Sequence, residues 1–460
     1  MFCSRLPAKK IFISLLDIYL QYWQLHPKET GLFIMEVPFQ RIKRARVGEA
    51  AAVVDSSSGG LSAFALRLSK ELAERESNEN VAFSPLSVYA ALGLAAAGAR
   101  GTTLDELLAL LGAASRDELA GLMRAMADHA LPAAAADGAA DPVVTFACGV
   151  WCQKDLELKP AFRQAAAQSY KAEARAVDFV SKAEDAREEI NGWVAEATRK
   201  LIPSVLPPRS VHADTRLVLA SAVYFNGKWK KQDAFRKSRT KDRRFHRLDG
   251  TAVRVPFMSA EPQAEHFVAC HDGFKVLKLP YMSAAAAARY SMCVFLPDAR
   301  DGLRGLVDSM AAGGAGYLFG RLPRWREEVR KLRLPRFKLS FSCRMKDALT
   351  SLGLREAFGS GADFGDMVEE KKAKAAKEDS GGAGLWVEEV FHKAVVEVDE
   401  EGTVAAASTG LTMTLQCGRD PGPPVDFIAD HPFAFFVVEE GSGAVLFTGH
   451  VLDPSNNSGE

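Results

Sequence analysis

The sequence predicts an α+β fold built as a single domain. Two observations carry this reading. Apolar residues recur at helical spacing in several stretches between Leu61 and Arg199, whereas from Leu217 onward the pattern changes to mostly short strand-like runs separated by turns. No internal repeat interrupts that order, and 48% hydrophobic with 25% charged residues is the balance of a chain that can bury a large core.

Residues 1–58 show little pattern and lead into the run Ser56, Ser57, Ser58, Gly59, Gly60. They are read as an extension outside the fold, poorly ordered or preceding a later start such as Met35. Lys9 and Lys10 precede the apolar stretch Ile11 to Leu20, but Asp17 interrupts it and no small-residue cleavage site follows closely, so a secretory leader is not expected. Leu61, Phe64, Ala65, Leu68 and Leu72 fall at helical spacing. Ser84-Pro85 reads as an N-cap followed by proline at the first helical position, and the nearly all-apolar run Leu86 to Ala97 predicts a buried helix. Thr102 to Leu111 starts another helix, and the alanine-rich stretch 131–142 reads as a surface loop. Val143 to Trp151 predicts a strand, then helices over Arg163 to Tyr170 and Ala183 to Arg199. Leu217 to Phe225 is apolar enough for a buried central strand. Strands are expected at Thr251–Met258, Phe274–Tyr281, Tyr290–Leu296 and Leu332–Ser342, a helix over Met345–Phe358, a charged loop over Glu369–Gly384, and closing strands near Phe433–Glu439 and Ala444–Val451.

Composition narrows the function classes. With 58 basic and 58 acidic residues there is no electrostatic case for nucleic acid or a membrane surface as partner. No apolar run approaches the roughly 20 residues of a membrane span. The seven cysteines (Cys3, Cys148, Cys152, Cys270, Cys293, Cys343 and Cys417) are odd in number and scattered, so a disulfide framework is not expected. The compartment stays open between cytoplasm and exterior. Cys148 and Cys152 lack a second pair at zinc-ligand spacing, and neither a metal nor another cofactor is expected. No Gly-x-Ser-x-Gly elbow, His-Glu-x-x-His pair or phosphate loop is present, and no catalytic residue is assigned. Basic runs at Arg236–Arg247 and Arg321–Arg336 are expected to be solvated strand and loop faces, with a polyanion patch as the alternative.

The segment Val395 to Gln416 stands apart. It starts as a strand, passes Glu400, Glu401 and Gly402, and continues through seven small residues, Thr403 to Thr409, that include Ala405, Ala406, Ala407 and Ser408. Proline is absent from Asp399 to Asp420, so every backbone donor there could join a ladder. From residue 411, Leu411, Met413 and Leu415 alternate with Thr412, Thr414 and Gln416, as in a strand with one buried face. One sequence thus satisfies both an exposed loop and an inserted strand. Taken alone, a plain strand followed by an Ala/Ser linker fits equally well.

Motifs along the chain carry a resemblance. They are Asn80-Val-Ala-Phe-Ser-Pro-Leu-Ser87, Gly98-Ala-Arg-Gly-Thr-Thr103, Val177-Asp-Phe179, Ile190-Asn-Gly-Trp193, Val223-Tyr-Phe-Asn-Gly-Lys-Trp229, Leu334-Pro-Arg-Phe337, Ala362-Asp-Phe364, His392-Lys-Ala394, Asp426-Phe-Ile-Ala-Asp-His-Pro-Phe433 and Leu446-Phe-Thr-Gly449. Their joint order over Leu61 to Pro454 resembles the serpin family, most like its plant members. The resemblance implies three β-sheets with eight or nine helices and an exposed reactive-centre loop, in one domain over 59–454 with a tail at 455–460. It implies a monomeric protease inhibitor rather than an enzyme, with a target of serine or cysteine type. The target attacks the loop, forms an acyl-enzyme, and is trapped when the cut loop inserts into the central sheet. The loop hinge would comprise Glu401, Gly402, Thr403, Ala405, Ala406, Ala407 and Ser408, none bulky on the inserting face. Family spacing puts the reactive bond sixteen residues after Glu400, between Gln416 and Cys417, with Leu415 as the alternative bait. Gln416 departs from the basic residue or small pair common in plant serpins and is unsuited to a trypsin-like pocket. The sheet-opening region would comprise Ser84, Ser87, Ser221 and His392, where Ser221 stands at a position that the family fills with asparagine; the shorter side chain predicts a lost hydrogen bond worth about 0.5–1.5 kcal/mol. A non-inhibitory serpin, acting as a binding, storage or chaperone protein, is the alternative.

Overall fold

The computed structural model describes residues 59–130, 142–230, 235–283, 288–369, 385–400 and 425–456. Among these are eight α-helices and fifteen strands. Helix α1 spans residues 59–75, and the five apolar positions read at helical spacing are all buried to 1% exposure or less. Helix α2 (Pro85–Gly98) begins as its cap signal predicts: the Ser84 side chain accepts from the Ser87 backbone N–H at 3.3 Å, and all but Ala97 of the helix is buried. Helices α3 (Gly101–Leu111), α4 (Arg116–Ala130), α5 (Pro160–Ser169) and α6 (Phe179–Ala197) follow. Gly112 stops α3 in the left-handed region, at φ 65°.

The strands form two hydrogen-bonded systems. The first holds five strands in the order β11 (Phe337–Arg344), β12 (Glu389–Val398), β4 (Leu217–Asn226), β2 (Val143–Gln153) and β3 (Glu173–Val177). Within it, β12 and β4 run parallel, with His392 opposite Ser221, while β11 and β2 flank them antiparallel. The second system places β1 (Val81–Phe83), β15 (Val445–Val451), β14 (Phe433–Glu439), β9 (Tyr290–Pro297), β8 (Phe274–Pro280) and β7 (Ala264–His271) side by side. Through β7 it continues into β10 (Glu327–Pro335), β6 (Ala252–Ser259) and β5 (Lys241–His246), and β13 (Val425–Ile428) joins β10 in parallel. The main core fills the space between α2 and both systems. A second cluster packs Phe179, Ile190 and Val194 of α6 onto Val218, Ala220, Phe391 and Val395, on the opposite face of β4 and β12. The central strands are therefore covered on both faces, which is why Leu217–Phe225 reads as an unbroken apolar run.

Two expectations are corrected. Leu332–Ser342 is two strands in different sheets: Pro335 has no N–H to extend the β10 ladder, and the Arg336 N–H turns to the Pro256 carbonyl at 2.9 Å. Met345–Phe358 is a short helix, α8 (Lys346–Ser351), and a separate 3₁₀ turn at Glu356–Phe358; Gly353 at φ 107° breaks the path between them. Helix α7 (Leu303–Gly320) was not anticipated, because Gly305, Gly313, Gly314 and Gly316 mask its periodicity; it is kinked at Gly314, φ 61°. Strands β3, β5 and β7 were likewise not singled out. The loops expected at 131–142 and 369–384 lie largely outside the described residues.

Candidate functional site

The seam between β12 and β4 is where sheet, helix α2 and the unusual segment meet. Strand β12 already starts at Glu389, and its parallel register with β4 runs from Glu389 opposite Val218 to Val396 opposite Phe225. At the middle of the seam His392 is buried to 0% exposure. Its Nε2 accepts the backbone N–H of Ser84 at 3.0 Å, which leaves the ring proton on Nδ1. Nδ1 then donates toward Ser221 Oγ at 3.0 Å and Ser87 Oγ at 3.2 Å. The Ser87 hydroxyl in turn donates to the Ser84 carbonyl at 3.2 Å. The helix cap, the third residue of α2 and both central strands thus share one buried hydrogen-bonded cluster. Short as it is, Ser221 reaches the ring. Burial pushes the His392 pKa down to about 3, so the imidazole is neutral across the physiological range.

The exit from β12 is held by a second group. The Asp399 carbonyl accepts from Trp229 Nε1 at 2.9 Å, and the Glu400 carbonyl accepts from the Phe235 N–H at 2.9 Å. The Glu400 side chain, 3% exposed, takes the Thr240 hydroxyl at 2.6 Å and lies 3.7 Å from Arg336 Nε. Trp229 is itself fixed by a stacked Tyr281, ring centroids 4.4 Å apart. This clamp was not assigned from sequence. Its signals were Trp229 and Arg336, each within a family-like motif, and an acid just before Gly402; nothing local joined them.

The proposed hinge residues Glu401, Gly402, Thr403, Ala405, Ala406, Ala407 and Ser408, and the bait residues Leu415, Gln416 and Cys417, lie outside the described residues. The far attachment of that segment is β13, paired with β10 and held by a two-point contact between Arg330 and Asp426 at 2.9 and 2.6 Å. Segment 401–424 therefore joins the end of a central strand in one sheet to a strand in the other. Among the described residues no group of three or more His, Cys, Asp or Glu side chains is arranged to hold a metal. Cys148, Cys152, Cys270, Cys293 and Cys343 are free thiols. Burial pushes Cys148, which faces Ser221 across the ladder, up to about 12.

Comparison with known proteins agrees with this geometry. A family model for Serpin (serine protease inhibitor) matches residues 60–454. Serpin-Z2A of Oryza sativa subsp. japonica is 51% identical over 431 residues, covering 87% of this chain and 98% of the relative. Serpin-Z1A of Triticum aestivum is 42% identical over 393 residues, covering 85% and 94%. Among solved structures, the Arabidopsis AtSerpin1 in its native stressed conformation superposes with a TM-score of 0.78 at 36% identity, covering 88% of this chain and 99% of that one. Ovalbumin, at 24% identity and a TM-score of 0.70, shares the fold. The family's general role is protease inhibition rather than catalysis, and proteases are its general partners. With a buried polar cluster across its central seam and a long connection leaving it at Glu400, this chain belongs to the serpin family.

Proposed function

We propose that this protein inhibits proteases covalently, offering segment 401–424 as bait and inserting its cut end between β12 and β4. The parallel pairing of β12 with β4 is the observation that carries this reading. The chain leaves β12 at its C-terminal end, so a segment that folds back there runs antiparallel to both strands. One parallel ladder is replaced by two antiparallel ones, which are slightly more stable per residue. A net gain of roughly ten backbone hydrogen bonds, each worth about 0.5–1.5 kcal/mol, amounts to the order of 10 kcal/mol.

The serine or cysteine nucleophile of the target attacks the carbonyl of Gln416. The new bond joins its oxygen or sulfur to that carbon, the Gln416–Cys417 peptide bond breaks, and the freed Cys417 amine leaves with a proton. Attack at Leu415 would follow the same course one residue earlier. The freed hinge then enters the seam, carrying the acylated protease with it. Helix α6 roofs this seam through Phe391 and Val395. Only small side chains could pass beneath it without displacing the helix, which gives the run Thr403 to Thr409 a steric reason. In this reading Ser84, Ser87, Ser221 and His392 form the latch that must part, and Glu401 onward forms the hinge. Residues 59–454 form the inhibitory domain, acting as a monomer, and 1–58 and 455–460 lie outside it.

The test is incubation with trypsin-, chymotrypsin- and papain-like proteases, followed by a denaturing gel and mass spectrometry of the released C-terminal peptide. A complex that survives denaturation, with cleavage after Gln416 or Leu415, is the expected result. Clean cleavage without a complex would leave a binding, storage or chaperone role instead.

A further inference from the structure

The two basic runs of the sequence come together in the fold. Arg236–Arg247 contributes β5 and Arg321–Arg336 contributes β10, and β6 lies between them with Ser259 directly opposite Arg333. They line a groove of about 240 Å³ that includes Lys241, Arg243, Ser259, Arg330, Lys331 and Arg333. Only part of its charge is compensated. Glu261 is taken by Arg236, at 3.0 Å, and by Arg239. Asp426 is taken by Arg330, with Lys331 at 3.9 Å. Asp430 also acts on Arg333, but its carboxylate accepts from His431 Nδ1 at 2.9 Å. Lys241, Arg243 and Arg333 form no ion pair with any described residue. Arg243 Nε and Ser259 Oγ are buried there without a hydrogen-bond partner. By the two-residue alternation of a strand, Arg243 shares its face with buried Phe245, and Ser259 shares its face with buried Phe257. The two arginines therefore stand at the rim of an apolar face, where partial burial and the Arg243 charge both work against the charge on Arg333.

We propose that this groove binds a tetrahedral oxyanion, a phosphate or sulfate group, either as the free ion or as an ester on a larger molecule. Guanidinium forks match two oxygens of such a group, and a hydroxyl supplies a third donor. An anion there would satisfy both orphaned atoms and pair with the three cations that form no ion pair among the described residues. The site adjoins β10, the strand on which the far end of segment 401–424 is anchored.

Calorimetric titration of the full chain, at fixed ionic strength in sodium chloride, with inorganic phosphate, inorganic sulfate and a sulfated oligosaccharide tests this. The expected result is saturable binding of at least one of them, weakened about tenfold or more by Arg243→Gln or Arg333→Gln and a few-fold by Ser259→Ala. The Arg333→Lys variant, which keeps charge but loses the fork, should fall between wild type and Arg333→Gln. Binding by the inorganic ions would identify a free-ion site, and binding by the oligosaccharide alone would identify an ester site. Absence of saturable binding to all three, or binding that none of the variants changes, would overturn the proposal. Unfolding temperatures of Arg243→Gln and Arg333→Gln without anion should equal or exceed that of wild type, because each removes like-charge repulsion.

Discussion

Two central strand pairs of this molecule are both largely buried and differently built. The β14–β15 pair is antiparallel, runs Phe433-Ala-Phe-Phe-Val-Val against Val445-Leu-Phe-Thr-Gly-His-Val, and contains Phe435 and Phe447 at 0% exposure. The β12–β4 pair is parallel, and at its centre a neutral histidine and three serines replace hydrocarbon. The aromatic pair packs large side chains into two core clusters. The polar pair adds a few directed side-chain hydrogen bonds to its ladder. In the proposed mechanism the seam that must part is the one whose centre carries a small polar cluster rather than interlocked aromatic side chains.

That contrast can be broken from either side. Phe435→Ala in the closed pair should cost about 3–5 kcal/mol through the cavity it leaves, seen as a lower urea midpoint with no change in the rate of loop insertion. His392→Ala in the polar pair should cost about 1–3 kcal/mol by leaving the Ser84 N–H without an acceptor, and it should accelerate insertion, read as conversion of the uncut protein to a protease-inactive form on warming. Glu400→Ala releases the clamp at the strand exit. Because Arg336 is partly exposed, the expected cost is only about 1–2 kcal/mol, again with faster conversion. Ser221→Ala removes one of two acceptors for His392 Nδ1 and should cost about 0.5–1.5 kcal/mol.

The histidines also set a pH dependence. Burial holds the pKa of His392 near about 3 and that of His450 near about 4, both below the unfolded value of about 6.5. Below about pH 6.5 the unfolded chain therefore binds protons that the native state does not. Stability is complete above that pH and falls on acidification, by at most about 1.4 kcal/mol per pH unit for each histidine. Denaturant midpoints between pH 7 and 4.5 should show that slope, and His392→Ala should remove its share and leave that of His450.

Periodicity and punctuation made much of the fold legible. The Ser84-Pro85 cap, the spacing of α1 and the apolar run of β4 led directly to elements that exist, because each is governed by local contacts or complete burial. Helix α7 was hidden since four glycines erased its stripe, and the break at Pro335 was overlooked because apolar residues continue on both sides. Of the buried polar cluster, Ser84, Ser87 and His392 were grouped only through family-like motifs, and Ser221 only as a departure from the family's asparagine. A histidine on an apolar strand carries no local sign that a serine cap 308 residues earlier will meet it. The Glu400 clamp was missed for the same reason, as its partners Trp229, Thr240 and Arg336 come from three separate connecting stretches.

The central claim is that a cut loop becomes a strand between β12 and β4. Hydrogen exchange on the protein cleaved after Gln416 tests it most directly, read at the backbone amides of residues 403–414 and of β12 and β4. Protection of 403–414 rising to the level of β4 is the predicted result. Exchange of those amides at the rate of a free peptide, with β12 and β4 unchanged from the uncut protein, would contradict the account.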